Sequence, residues 1–202
     1  MDTEPTNQLE TEQKYDADPA FTMPDFGALP GYSVAAPECY ELSAIYFDTG
    51  DLRLAAARVT LRRRTGGTDE AWHLKLPFRP GTRREVHLPL SEGTETVPPR
   101  MQAMVADITG GGALHPIARL DTIRTVRRLA GPDGQVLAEV ADDAVTARRL
   151  NPDGSPMSWH EVEVELVSGS PAVLEAAGKL LREAGARPSA SASKLGRLLA
   201  AG

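Results

Sequence analysis

Glu10, Glu12 and Lys14 stand two apart in the stretch LETEQKY. On a β-strand successive side chains alternate faces, so these three project together while Thr11 and Gln13 point the other way. A helix would scatter them. The same parity recurs along the chain. Glu161, Glu163 and Glu165 of EVEVEL oppose Val162, Val164 and Leu166. Thr60, Arg62 and Arg64 oppose Leu61 and Arg63, and His73 and Lys75 oppose Trp72, Leu74 and Leu76. Arg83, Glu85 and His87 oppose Val86 and Leu88, while Glu139, Ala141 and Asp143 oppose Ala138, Val140 and Asp142. Most strands thus carry one apolar and one ionised face. Such a face ordinarily meets water in a half-buried antiparallel sheet. Three glutamates in a row, however, repel one another unless a cation or a basic partner lies between them. Basic strands such as TLRRR and WHLKL are available to face them. A closed barrel with a polar interior accounts for both features. One wall would be carboxylates that hold a divalent metal, and the other Arg and Lys that hold an oxyanion.

Turn and cap signals give the elements that must position these residues. DADPAFTMPDFGALPGY is turn-rich, with room for one short helical turn, and ECYELSAIYFDT reads as a strand rich in aromatic and β-branched residues. Asp51 is a candidate cap for a short helix, LRLAAAR, and Asp48 reads as a turn residue. VTLRRRT and AWHLKLP, joined by GGTDE, read as a hairpin, and TRREVHLPL as a further alternating strand. Pro98 and Pro99 open a helix over RMQAMVADIT that the glycines at 110–112 stop. Three strands separated by GPDG and NPDG turns follow. Two helices, PAVLEAAGKLLREAG and SASKLGRLLAAG, close the chain, with Leu174, Leu180 and Leu181 as core contacts of the first. The expected architecture is α+β, a mainly antiparallel closed sheet with helices packed outside.

Composition narrows the function classes. A formal net charge of −6 over 202 residues argues against a general nucleic-acid coat. The triple arginine at 62–64 lacks the aromatics that stack bases, since aromatic content is only 5%. GGTDE and GGG do not continue into the Gly-Lys-Ser/Thr helix start of a phosphate loop. The single cysteine, Cys39, forms no internal disulfide. No apolar run reaches the roughly 20 residues of a membrane span, and MDTEPTNQ lacks a signal-peptide pattern. The expectation is a soluble cytoplasmic protein, with residues 1–7 disordered and 8–202 a single domain. The four histidines, at 73, 87, 115 and 160, look scattered and without zinc-type pairing, so surface or core roles are expected for them.

The run ETEQK, the stretch YFDTGDLRLAAARVTLRRRTGGTDEAWHLKLP, and the later REVHLPL, EVEVEL and SKLGR together resemble the CYTH domain. This is the superfamily of triphosphate tunnel metalloenzymes, which includes thiamine triphosphatases, inorganic triphosphatases and class IV adenylate cyclases. The resemblance runs from Glu10 to about Arg197. It implies an antiparallel eight-stranded tunnel that binds a triphosphate and one or two Mg²⁺ or Mn²⁺ ions. It places metal ligands at Glu10, Glu12, Glu139, Glu161 and Glu163, with Glu165 nearer the mouth. Substrate contacts fall on Lys14, Arg62, Arg64, Lys75, Arg83, Arg124, Lys194 and Arg197, and catalytic roles on Lys14, Glu85 and Asp143. Asp142 replaces Asp143 if that strand carries a bulge.

Hard carboxylate oxygens suit Mg²⁺ and Mn²⁺ better than zinc. Arginines grip phosphate oxygens in bidentate fashion, and lysines act as point charges. The expected function is hydrolysis of a triphosphate, inorganic tripolyphosphate first, with thiamine or nucleoside triphosphates as further candidates. A class IV-type adenylate cyclase and a non-catalytic polyphosphate-binding module are the alternatives. Expected partners are the triphosphate or polyphosphate itself, with no nucleic acid and no membrane.

Overall fold

The computed structural model describes residues 6–92, 95–152 and 154–201. Ten strands are present among them: β1 (Thr6–Ala17), β2 (Ser33–Val34), β3 (Glu38–Asp48), β4 (Thr60–Thr65), β5 (Ala71–Arg79), β6 (Thr82–Leu88), β7 (His115–Ala130), β8 (Val136–Arg149), β9 (Met157–Leu166) and β10 (Arg187–Pro188). Eight form one antiparallel ring in the order β1-β6-β5-β4-β3-β7-β8-β9, and β9 pairs back onto β1 to close it. The two-residue strands β2 and β10 lean on β7 and β1. Closure depends on β1 changing partner: Thr6 to Thr11 pair with β6, and Glu12 to Ala17 pair with β9. Thr6 and Asn7, expected in a disordered terminus, are instead strand residues opposite His87 and Val86. Residues 1–5 of that expected segment lie outside the described residues.

Binary patterning divides the barrel wall as the sequence parity demands. On the outer face Leu61, Trp72, Leu74, Val86 and Leu88 bury against Leu54, Met101 and Val105, which come from helices or a helix end. These helices are α1 (Arg53–Ala56), α2 (Pro99–Met104) and α3 (Ala106–Thr109). The single helix expected after Pro98 is two, broken at Val105. Asp51 does not cap α1; it pairs with Arg53 at 2.8 Å. Asp48 performs that task, accepting hydrogen bonds from the N–H groups of Leu54 (2.8 Å) and Ala55 (2.9 Å). In the turn between β4 and β5, Gly66 has φ +83, and a Cβ there would fall 2.0 Å from the Glu41 carbonyl. Only glycine fits.

Helix α4 (Ala172–Glu183) lays Val173, Leu174, Ala177 and Leu181 over Tyr15, Val140, Val162 and Val164. Gly178 brings it close, because an added Cβ would meet the Tyr15 hydroxyl at 2.0 Å. Helix α5 (Lys194–Ala200) does something different. Its Leu195 and Leu198 pack against Ala44, Tyr46, Ala118, Leu120, Val145 and Ala147. Leu120 and Val145 have the parity of the tunnel residues Arg124 and Asp143, so α5 plugs one end of the barrel rather than covering its outside. Ser193 caps it, accepting from the Gly196 N–H at 3.0 Å, and Lys194 is its first residue. No helix of the described residues is long and apolar enough to cross a membrane.

Candidate functional site

The barrel encloses a polar cavity beyond the α5 plug. Its walls include Glu10, Glu12, Lys14, Arg62, Arg64, Lys75, Arg83, Glu85, Arg124, Glu163, Glu165 and Lys194. The expected acidic and basic rows therefore confront each other across a hollow. The register explains why. Glu12 and Glu165 are direct cross-strand partners, as are Lys14 and Glu163, Asp143 and Glu161, Arg124 and Asp143, and Lys75 and Glu85. One-residue slips would turn any of these outward.

Next to the plug the charges are already paired. Lys194 Nζ lies 2.8 Å from Asp143, 2.7 Å from Glu161 and 2.7 Å from Glu163. Arg124 grips Asp143 through two nitrogens, at 2.8 and 2.6 Å, and reaches Glu163 at 2.7 Å. Lys14 contacts Glu163 and lies 2.8 Å from Glu12. Burial disfavours the Lys14 charge, but Glu163 and Glu12 overcome it and raise the ammonium above its usual range. Lys14 thus stays a cation and cannot serve as a base near neutral pH. Asp143 is the tunnel residue, fully buried, and Asp142 points to the other face, against His160.

Elsewhere the charges are not balanced. Lys75 contacts one oxygen of Glu10, while Glu10 Oε2 is buried and has no hydrogen-bond partner. Burial first, then Glu10, Glu12 and Glu85, push the Glu165 carboxyl up to about 7 against the pull of Lys75. On the opposite wall Arg64 contacts Asp69, and Arg62 bonds the Tyr46 hydroxyl at 3.2 Å. Burial, with Arg62 and Arg124 beside it, pushes the Arg64 guanidinium down to about 9. Arginine stays protonated in proteins; the Nε atoms of Arg62 and Arg64 are buried and make no hydrogen bond.

Four expected residues stand apart from the cavity wall. Glu139, expected as a metal ligand, pairs with Arg128 at 2.8 Å in a partly exposed ion pair outside the cavity wall, and Arg128 also contacts Glu38. Arg197 lies 2.6 Å from Asp16 and stacks over Trp159, not in the cavity. Asp143 and Glu161 stand behind the wall, joined to it through Lys194. Sequence reasoning missed Tyr46 and Asp69, and it took for scattered two histidines that parity had put on the ionised faces. His73 and His87 are not scattered; they are cross-strand partners with ring centroids 4.4 Å apart, flanking Glu85. The signal available was the E-x-H spacing of Glu85 and His87 on one strand face, set against H-x-K on the neighbouring strand. His115 is exposed and His160 pairs with Asp142, as surface roles require.

The residues fit a hard divalent ion. Asp143, Glu161 and Glu163 bring carboxylate oxygens within 4.8 Å of one another, with the Lys194 ammonium already held among them. Glu10 adds a buried oxygen with no partner, which an ion with oxygen-only preference would satisfy.

Residues 8–198 match the CYTH domain family, and the chain belongs to it. Two Mycobacterium tuberculosis proteins carried as uncharacterized, Rv2226 of strain H37Rv and MT2285 of strain CDC 1551, are each 37% identical over 211 residues. That alignment takes in 98% of this chain and 41% of theirs, so the chain spans about two-fifths of the length of the curated relatives it matches. The fold is shared with a candidate adenylate cyclase from Bacillus halodurans, with TM-score 0.65, 17% identity, and coverage of 95% of this chain and 97% of that one. It is also shared with HpAC1 from Hippeastrum, a candidate adenylyl cyclase whose triphosphatase activity is dominant, with TM-score 0.58, 17% identity, and coverage of 96% and 95%.

Proposed function

We propose that this CYTH domain hydrolyses a linear triphosphate, with inorganic tripolyphosphate the first candidate and Mg²⁺ or Mn²⁺ as cofactor. The observation that carries this reading is the opposition, in one buried cavity, of arginines with unpartnered Nε atoms, Arg62 and Arg64, to a carboxylate wall with an unpartnered oxygen on Glu10. An anionic chain with its divalent counter-ion supplies partners to both. Glu10, Glu12 and Glu163 would hold the ion, and Arg62, Arg64, Arg124 and Lys75 would grip phosphate oxygens. A bound divalent ion supplies bridging of phosphate oxygens and polarisation of water. Phosphoryl transfer asks the protein mainly for positioning and charge stabilisation. Asp143 positions Arg124 and Lys194, Glu85 positions Lys75, and Lys14 is a fixed positive charge rather than a base.

A second reading, a nucleoside or thiamine triphosphate as substrate, including the cyclase reaction, draws on a groove at the tunnel mouth. There Pro77, Phe78 and Pro80 stand beside Glu12, Lys14 and Arg83, and Phe78 is 59% exposed. Incubation with tripolyphosphate, ATP and thiamine triphosphate, with Mg²⁺ or Mn²⁺, separates the readings. Orthophosphate from tripolyphosphate supports the first, cyclic AMP or preference for the organic substrates supports the second, and binding without turnover sinks both. Glu12→Gln is expected to lower turnover by about a hundredfold, the typical effect of losing one charge-directed group. Near-unchanged turnover would remove Glu12 from the site.

A further inference from the structure

Two histidines converge on one carboxylate inside the barrel. His73 Nδ1 lies 3.0 Å from Glu85 Oε1. His87 Nε2 lies 3.2 Å from that same oxygen yet, although buried, makes no hydrogen bond. The other ring nitrogen of His73, Nε2, is 3.1 Å from the Asp69 carbonyl. A carbonyl only accepts, so Nε2 carries a proton, and in the neutral ring the Nδ1 lone pair is turned toward Glu85. Lone pair then faces carboxylate with nothing between them, an arrangement repulsive by itself.

We propose that His73, Glu85 and His87 form a metal site for a borderline transition ion such as Zn²⁺, separate from the oxygen-only wall that suits Mg²⁺ or Mn²⁺. All three donor atoms lie within 4.8 Å of one another. A tetrahedral ion with bonds of about 2.0–2.1 Å separates its ligand atoms by roughly 3.4 Å, close to the two measured spacings. Two nitrogens and one carboxylate oxygen are a donor set that zinc takes when a fourth position stays open. Glu85 and His87 border the cavity, so that position faces the phosphate path. The N–H of His73 on a backbone carbonyl is the outer-sphere contact that fixes the tautomer of metal-bound histidines. The nearest cations hold the site only loosely: Lys75 contacts Glu10 and pairs with Glu85 at the longer distance of 3.5 Å, and Arg64 contacts Asp69.

The test adds Zn²⁺ to the full chain in excess Mg²⁺, which occupies the carboxylate wall. Calorimetry is expected to show one Zn²⁺ site, weakened at least about tenfold in His87→Asn. Long-range ¹H–¹⁵N spectra of the imidazoles should move His73 Nδ1 and His87 Nε2 and leave His115 and His160 in place. The inference falls if His73 carries protons on both nitrogens and ignores Zn²⁺, if excess Mg²⁺ abolishes Zn²⁺ binding, or if His87→Asn binds Zn²⁺ as tightly as the parent. The spectra of the unsubstituted chain decide the matter even where a variant does not fold. Zn²⁺ binding is read without turnover, so this inference stands or falls apart from the proposed hydrolysis.

Discussion

Two groups of acids share the barrel interior, and strand parity treats them as equals. Asp143, Glu161 and Glu163 are ringed by Lys194, Arg124 and Lys14 at hydrogen-bond distance. Glu10 and Glu165 are not so provided: one keeps a buried oxygen without a partner, and the other is pushed up to about 7. Opposing charges lower Asp143 and Glu163 despite burial, whereas burial and like charges raise Glu165. The difference comes from α5, which carries Lys194 from the far end of the chain into one group and not the other. Identical residue types on one face thus serve two ends, a self-contained ion network beside the plug and an acidic patch that wants a cation.

Breaking the first group has the largest expected effect. Lys194→Met leaves three buried carboxylates short of their shared ammonium, and removing one partner of a buried pair costs about 3–5 kcal/mol. Urea or thermal denaturation should show a loss of that size, partly recovered by Mg²⁺, which binds the folded state only. A loss under about 1 kcal/mol would mean that the network is looser than its geometry. The second group responds in the opposite sense. Glu165 ionises in the unfolded chain near its ordinary value but holds its proton in the folded protein to about 7. The folded state therefore binds the extra proton between about pH 4.5 and 7, and stability falls as pH rises through that window. Glu165→Gln should flatten this slope and raise Tm by a few degrees at pH 8 without metal. In the parent, Mg²⁺ at pH 7 should release protons into weakly buffered solution. A flat parent profile would show that Glu165 is already compensated.

The fold was legible where parity and turn chemistry act locally. EVEVEL, TLRRR and WHLKL state their inward faces outright, and GPDG marks the β7–β8 turn. What escaped was set by contacts remote in sequence. Nothing in ADD says whether Asp142 or Asp143 turns inward; the register with Glu161 decides it. Nothing in SKLGR says that Leu195 and Leu198 stop one end of the barrel, because an amphipathic turn reads alike inside and outside. The expected helix is broken at Val105, which leaves helical geometry at φ −114, ψ 6 although Met101 and Val105, four apart, would share one face of an unbroken helix. The histidine pair stayed hidden because His73 and His87 lie on different strands and meet only when the hairpin aligns them.

Glu139 gives the smallest effect and the sharpest check on position. It shares its strand parity with Asp143 and is the cross-strand partner of Glu165, so a barrel uniform along its length would make it a ligand. Its side chain is instead 35% exposed and held by Arg128. An exposed ion pair of this kind contributes about 0–1 kcal/mol. Glu139→Gln should change stability by less than that and leave tripolyphosphate turnover and its Mg²⁺ dependence within about twofold, where Glu12→Gln removes most of both. A tenfold rise in the Mg²⁺ requirement of Glu139→Gln would mean that Arg128 releases Glu139 when substrate binds, and would extend the acidic patch to the far end of β8.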